Sequence, residues 1–294
     1  MSLPSLFTNK PLIEQYLQRF PTDIATLHLS SLVMWQDHFD FDITEIKGCL
    51  CVFAKQPKAQ FLYWPPVGDV TQPVIQEVMA RLNACNPKTA RIENIAAKDK
   101  EVYLQAGLRL YEKANEYVYR KDDIIHYQGN RYKSQRHDVN LVEKEYALSV
   151  GACESTQTAT CLGIFDQWAK HKKIIHHNDP IALDMLVTNR RAHELALLYQ
   201  EQLGLLGIIV AINGKPCAYS LGYPLNQNTF VVLLEVCLPD IKGLSAYVFN
   251  RMCQQPWWKS FDYVNAMDDF GLPAVAHTKK LYHPIMVNPI FNAS

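Results

Sequence analysis

The sequence predicts a mixed α/β fold of α+β character, built as two units that each carry a mostly antiparallel sheet flanked by helices. Three observations predict it. Strand-like and helix-like segments alternate through the first 120 residues. From Thr156 two helical segments precede three consecutive strands, the first two joined by Asn213-Gly214, a strong hairpin signal. Finally, the apolar, β-branched run Phe230–Leu238 ends at Pro239-Asp240, and a helical segment follows Gly243.

Length and composition bound the possibilities. A chain of 294 residues that is 48% hydrophobic can bury one large core or two ordinary ones. Its mean hydropathy is −0.13, its formal net charge +0 and its pI about 7.1. That balance supplies no global attraction to nucleic acid or acidic lipid, so such contacts require a local patch. No apolar run reaches the ~18 residues of a membrane span. The first residues, Met1-Ser2-Leu3-Pro4-Ser5, do not read as a signal peptide, so the cytoplasm is the expected compartment. The eight cysteines form no Cys-x-x-Cys pair and read as reduced structural thiols.

In chain order, Pro11–Phe20 reads as a short helix stopped by Pro21, and Leu27–Trp35 as a second. Phe41–Lys55 and Gln60–Trp64 read as strands, with turns at Lys47-Gly48 and Lys55–Lys58. Gln72–Asn83 has Val74, Ile75, Val78, Met79 and Leu82 at helical spacing. A strand at Arg91–Ile95, a short helix near Lys98–Ala106 and a strand at Tyr117–Arg120 complete the first unit. Lys121–Tyr127 is polar and charged and reads as the boundary, giving domains 1–124 and 125–294. Tyr132, Arg136 and Asn140 then fall four apart on one helical face. That pattern is either a solvated basic helix or a guanidinium and an amide presented together to a phosphate or carboxylate.

Thr156–Lys173 reads as a helix. His171, His176 and His177 have no carboxylate or cysteine at ligand spacing, so they read as surface histidines and no metal site is expected. Asn178-Asp179-Pro180 caps a further helix that runs to Leu203, with Gly204 past its end. Gly207–Ile212, Pro216–Leu221 and Thr229–Leu238 are three antiparallel strands. Phe261–Asn265 is another strand, and Leu281–Val287 closes the sheet. Glu235 stands out: a carboxylate within an apolar strand is costly unless a partner or substrate offsets its desolvation.

The order of these elements is that of the GNAT acyltransferase fold, whose cleft opens where the strand before the Gly turn splays from the next. The residues further resemble the C-terminal domain of phosphatidylglycerol lysyltransferases and its free-standing relatives, which are built as two GNAT-like units. The resemblance is carried by Trp35 and the Tyr63–Gly68 run, and by Tyr117-Val118-Tyr119 through Gly129, Tyr132, Arg136 and Asn140. It continues through Glu235 with Ile241-Lys242-Gly243, and ends with Asn265, Asp269, Gly271, Leu272, Lys279, Tyr282 and Pro284. It departs at Met267, where the family has glutamate, at Ala276, where it has arginine, and at His137-Asp138, where it has Asn-His.

The resemblance implies transfer of an aminoacyl or acyl group from a carrier to an amine or hydroxyl. The donor is a cosubstrate, either charged tRNA, an acyl carrier protein or coenzyme A, and no tightly bound cofactor is expected. The acceptor is a small molecule or a lipid headgroup. Glu235 or Asp269 would take the substrate amine or its proton, and Tyr282 would donate to the leaving oxygen. Arg136 and Lys279 would meet carrier phosphates or the oxyanion. Tyr132, Asn140, Lys242, Gly243 and Asn265 complete the expected binding set. Two alternatives stay open. One is an ordinary coenzyme-A acyltransferase, although Asp240–Ser245 lacks the Gly-x-Gly/Ala pair that brings several amides to a pyrophosphate. The other is a non-catalytic binding module.

Overall fold

A computed structural model of the chain describes residues 5–57, 59–175 and 177–294. In chain order its elements are α1 (Lys10–Arg19), α2 (Leu29–Trp35), β1 (Asp40–Ile46), β2 (Cys49–Gln56), β3 (Ala59–Leu62), α3 (Gln72–Cys85), β4 (Ile92–Ala96), α4 (Lys100–Gln105) and β5 (Leu110–Arg120). There follow α5 (Lys121–His126), α6 (Lys133–Glu145), β6 (Leu148–Ala152), α7 (Thr158–Ile175), α8 (Pro180–Leu198), β7 (Leu206–Ile212), β8 (Lys215–Pro224) and β9 (Thr229–Cys237). The last are α9 (Leu244–Cys253), β10 (Tyr263–Asp268), α10 (Pro273–Lys280) and β11 (Met286–Ala293).

The fold is mixed α/β with mostly antiparallel strands flanked by helices, and it divides into two compact units. The first comprises Met1–Glu116, Asp268–His277 and Val287–Ser294, and the second Tyr117–Met267 and Thr278–Met286. In the first unit the strands run β1-β2-β3-β4-β11. Phe53, Leu62, Ile75, Val78, Leu82, Ile92, Ile95 and Tyr103 form its core, so the helical stripe of α3 lies on the apolar face of β2–β4.

In the second unit the order is β10-β9-β8-β7-β6. The β7–β8 hairpin turns at Asn213 (φ 51°) and Gly214 (φ 77°), the paired positive φ that suits the twist of a two-residue loop. β8 and β9 pair antiparallel with an irregularity. Leu221 faces Leu234 but Gly222 faces Val232, so Leu233 is skipped. Gly222 is required there, because a Cβ would lie 2.1 Å from the carbonyl oxygen of Val231. β9 and β10 pair in parallel only through Tyr263–Thr229, Val264–Phe230 and Asn265–Val231. Beyond that point β9 runs on to Cys237, and among the described residues no further pair joins it to β10.

Four segments differ from the sequence reading. In the polar, charged segment 121–127, residues Lys121–His126 form the helix α5. The Asn250 amide donates to its Ile124 and Ile125 carbonyls, both at 2.8 Å, and Lys121 is buried with its ammonium 2.8 Å from the Trp258 carbonyl. Charge suggested solvent, but backbone oxygens take up the Lys121 ammonium and Arg131 pairs with Asp123 at 3.0 Å. Leu148–Ala152 is an edge strand and Pro273–Lys280 a helix, neither of which the sequence reading included. The closing strand runs Met286–Ala293 rather than Leu281–Val287, because Leu281–Pro284 is a turn with His283 at φ 52°.

Candidate active site

Glu235 lies on the stretch of β9 that has parted from β10. Its neighbours two residues away on the same face, Leu233 and Cys237, are half-buried as it is, while Val232, Leu234 and Val236 are buried. Alternation therefore puts the carboxylate on the half-buried face of β9 rather than the buried one. Burial pushes its pKa from 4.5 up to about 7, opposed by a hydrogen bond from Ser245 and by the Lys279 ammonium.

Ser245 sits in the first turn of α9, and its hydroxyl donates to Glu235 Oε1 at 2.9 Å. The same hydroxyl partners the Tyr282 phenol, which burial and the Glu235 charge hold well above its usual pKa, so it stays protonated. Tyr282 is packed edge-on against Phe249 and Tyr119 and tilted against Tyr127, at centroid distances of 5.4, 6.4 and 6.3 Å. Lys279 donates to the Ala266 and Met267 carbonyls at the end of β10, which fixes its ammonium on the Glu235 side. One hydroxyl thus links a carboxylate of near-neutral pKa to a phenol, with a cation nearby.

The basic block serves this constellation from behind. Tyr132 is fully buried, and its hydroxyl donates to the Tyr282 carbonyl at 3.3 Å. The Gln135 amide donates to the Leu281 carbonyl at 2.8 Å, so the start of α6 grips the turn that presents Tyr282. Arg136 donates to the Tyr127 and Gly129 carbonyls, the latter at 2.6 Å, closing the loop that leads into α6. Asn140 is exposed, and so is Lys242 in the β9–α9 loop. Gly243 has φ 85°, and a Cβ there would come within 2.5 Å of the Asp138 carbonyl oxygen, so this glycine lets α9 and α6 approach closely. Asn265 is buried and accepts from the Met267 amide at 2.8 Å, in a turn where Met267 itself adopts φ 63°.

Asp269 belongs to the first unit. Its carboxylate accepts from the Asn115 and Gly271 amides at 3.2 and 3.0 Å, which orders the turn after β10. Ser245, Tyr127 and Phe249 were not among the expected site residues. Ser245 was discoverable: a serine two residues past the Gly243 turn opens the helix that follows the Glu235 strand. The aromatic pair carried no such signal, since aromatic residues at helical spacing read as core.

Among the described residues no group of three or more His, Cys, Asp or Glu side chains is placed to hold a metal ion. His171 and His177 are exposed, and His176 lies outside the described residues. All eight cysteines are free thiols. No helix among the described residues is long and apolar enough to cross a membrane. A cavity of about 560 Å³ lies within the first unit, lined by Phe39, Phe41, His38, Asp40 and their neighbours, and shares no residue with the Glu235 surroundings.

The parted β9–β10 pair, the Gly243 turn and a carboxylate on the parted strand are features of a GNAT-like fold. The sequence matches the family of phosphatidylglycerol lysyltransferase C-terminal domains over residues 18–293. The chain belongs to that family. This C-terminal-domain chain resembles a conserved protein of unknown function from Bacteroides thetaiotaomicron, with a TM-score of 0.85 and 19% identity over 98% of this chain and 96% of that one. It resembles the L-PGS of Bacillus licheniformis with a TM-score of 0.65 and 15% identity, over 96% and 90% of the two chains. A tandem GNAT protein from the clavulanic acid biosynthesis pathway has a TM-score of 0.54 and 9% identity, over 98% and 96%. Comparison with curated protein sequences gave no match.

Proposed function

We propose that this family member is a transferase that moves an aminoacyl or acyl group from a carrier onto an amine or hydroxyl held beside Glu235. The observation that carries the reading is the linked set of Glu235, Ser245 and Tyr282 on the parted strand. A carboxylate with a pKa of about 7 is matched to accepting a proton near neutrality. Glu235 takes the proton of the acceptor N–H or O–H as that atom bonds to the carrier-linked carbonyl carbon. The bond from that carbon to the carrier oxygen or sulfur then breaks, and the leaving atom receives a proton from the Tyr282 hydroxyl. Ser245 passes the Glu235 proton to Tyr282, which restores both groups. The Lys279 ammonium, fixed by the Ala266 and Met267 carbonyls on the Glu235 side, supplies positive charge toward the developing oxyanion.

In this reading the two compact units are GNAT-like units in tandem, and charged tRNA or an acyl carrier protein is the donor, which places the chain in the cytoplasm. Lys242 and Asn140, both exposed, are the side chains open to a carrier phosphate. Arg136, Tyr132, Gly243, Asn265 and Asp269 act by positioning backbone. Coenzyme A is disfavoured as donor, because Gly243 spends its missing side chain on α6 rather than on a phosphate cradle. A thermal-shift panel of charged tRNA, acyl carrier protein and coenzyme A tests the reading. Saturation at about 100 Kd should stabilise by about 2.7 kcal/mol. Stabilisation by coenzyme A alone would make the chain an ordinary acyltransferase, and silence from every donor would leave a binding module.

A further inference from the structure

Opposite Glu235 on the neighbouring strand stands a second serine hydroxyl. The β8–β9 register sets Ser220 directly against Glu235. Opposed residues of an antiparallel pair project from the same face, with Cβ atoms about 4.5–5.5 Å apart. Ser220 is fully buried, and its Oγ has no hydrogen-bond partner among the described residues. Its other neighbours on that face supply none: Ile208 lies opposite it on β7 and Ala218 two residues back along β8, both fully buried. Across the sheet, then, Glu235 presents the acceptor oxygens nearest in register to Ser220. A buried hydroxyl without a partner is destabilising, and alanine would fill the same apolar surroundings without that cost. Packing therefore gives no reason for a hydroxyl here, whereas a carboxyl group that gains and loses charge beside it does.

Ser245 donates to Glu235 Oε1 from α9, on the helix side. An ionised carboxylate has about four acceptor sites on its two oxygens, so room remains for a donor from the sheet side. A turn about Cα–Cβ carries the Ser220 Oγ between staggered positions without disturbing the strand. The other ionisable groups around Glu235 come from several elements: Cys237 on β9, Cys253 on α9, Tyr127 between α5 and α6, Lys279 on α10 and Tyr282 just after it. Burial keeps both thiols and both phenols neutral, which leaves the Lys279 ammonium as the charge among the described residues that faces Glu235. We propose that Ser220 is a positioning residue of this site: its hydroxyl donates to the Glu235 carboxylate when the acid is ionised, so that Ser245 and Ser220 hold the group from helix and sheet. Ser220 keeps its own proton throughout, and turns away once Glu235 has taken one from the acceptor. The purpose of the contact rests on the transfer reading, while the contact itself does not.

The test compares the full wild-type chain with Ser220→Ala. In carbon-detected NMR of labelled glutamate, Glu235 should titrate about half a pH unit or more higher in the variant, because a donor to the charged form is gone. In thermal unfolding the variant should match or exceed wild type at pH 5, where the carboxyl is neutral, and melt below it at pH 9, where the lost donor is missed. A merely structural hydroxyl would lower stability at both pH values and leave the titration unmoved. Crystals of wild type at pH 9, which need no variant to fold, should place Ser220 Oγ within about 3.2 Å of a Glu235 oxygen. An unchanged Glu235 midpoint would overturn the proposal, as would Ser220 Oγ bonded at pH 9 to a backbone carbonyl or to an ordered water remote from Glu235. In a transfer assay the rising limb of the pH–rate profile should move with the midpoint while KM stays the same. The titration decides the contact whether or not wild type transfers a group, and absent transfer would count against the transfer reading alone.

Discussion

Replacing Glu235 by Gln should make the protein more stable above neutral pH while abolishing transfer. Burial raises the carboxyl pKa from 4.5 to about 7. Between those values the folded chain holds a proton that the unfolded chain has released. Stability therefore falls as pH rises through the window, and the full cost is present above pH 7. Each tenfold change in proton affinity is worth about 1.4 kcal/mol, which gives ~3 kcal/mol for a fully enclosed group. The residue is only half-buried, so solvent screening reduces this to about 2 kcal/mol. Glutamine fills the same space, keeps an acceptor for Ser245 and has no charge to desolvate. Thermal unfolding should accordingly show the variant melting about 4–8 °C above wild type at pH 8.5, with little difference at pH 4. An equal shift at both pH values, or a variant less stable at pH 8.5, would refute the claim that Glu235 is held against an unfavourable environment.

Ser245→Ala and Lys279→Met each remove a group that lowers the Glu235 pKa, so the carboxyl should titrate above about 7 in carbon-detected NMR of labelled glutamate. An unchanged midpoint in both would detach these residues from the site. Gly243→Ala adds a Cβ against the Asp138 carbonyl oxygen at positive φ, and should cost about 1–3 kcal/mol in denaturant unfolding. Asn250→Ala strands the two α5 carbonyls its amide serves, and should cost about 2 kcal/mol, with hydrogen exchange rising first in 121–126.

Much of the second unit was legible in the sequence because its signals are local. Asn213-Gly214 names its own turn, and an acid in the run Phe230–Leu238 conflicts with its neighbours in a way that only a recess or partner resolves. The remainder was hidden where charge or glycine serves packing. Lys121 and Asp123 look solvated in sequence, yet α5 exists because Asn250, more than 120 residues later, satisfies its carbonyls. Arg136 looks like a phosphate ligand, yet backbone oxygens of its own loop engage its guanidinium. β6 (Leu-Ser-Val-Gly-Ala) alternates only from Leu148 to Val150 before Gly151, too short a pattern to stand out, and as an edge strand it relies on backbone pairing with β7. Asp269 resembles a catalytic carboxylate in sequence, and in the fold its oxygen accepts from two backbone amides.

The most direct test of the transfer reading is to supply the chain with charged tRNA and acyl carrier protein bearing radiolabelled groups, together with amine and hydroxyl acceptors that include phospholipid. Label should move to an acceptor with wild type, with a rate that rises through about pH 7, and Glu235→Gln should fold yet transfer nothing. Wild-type turnover by that variant, or binding of donors without any movement of label, would contradict the account.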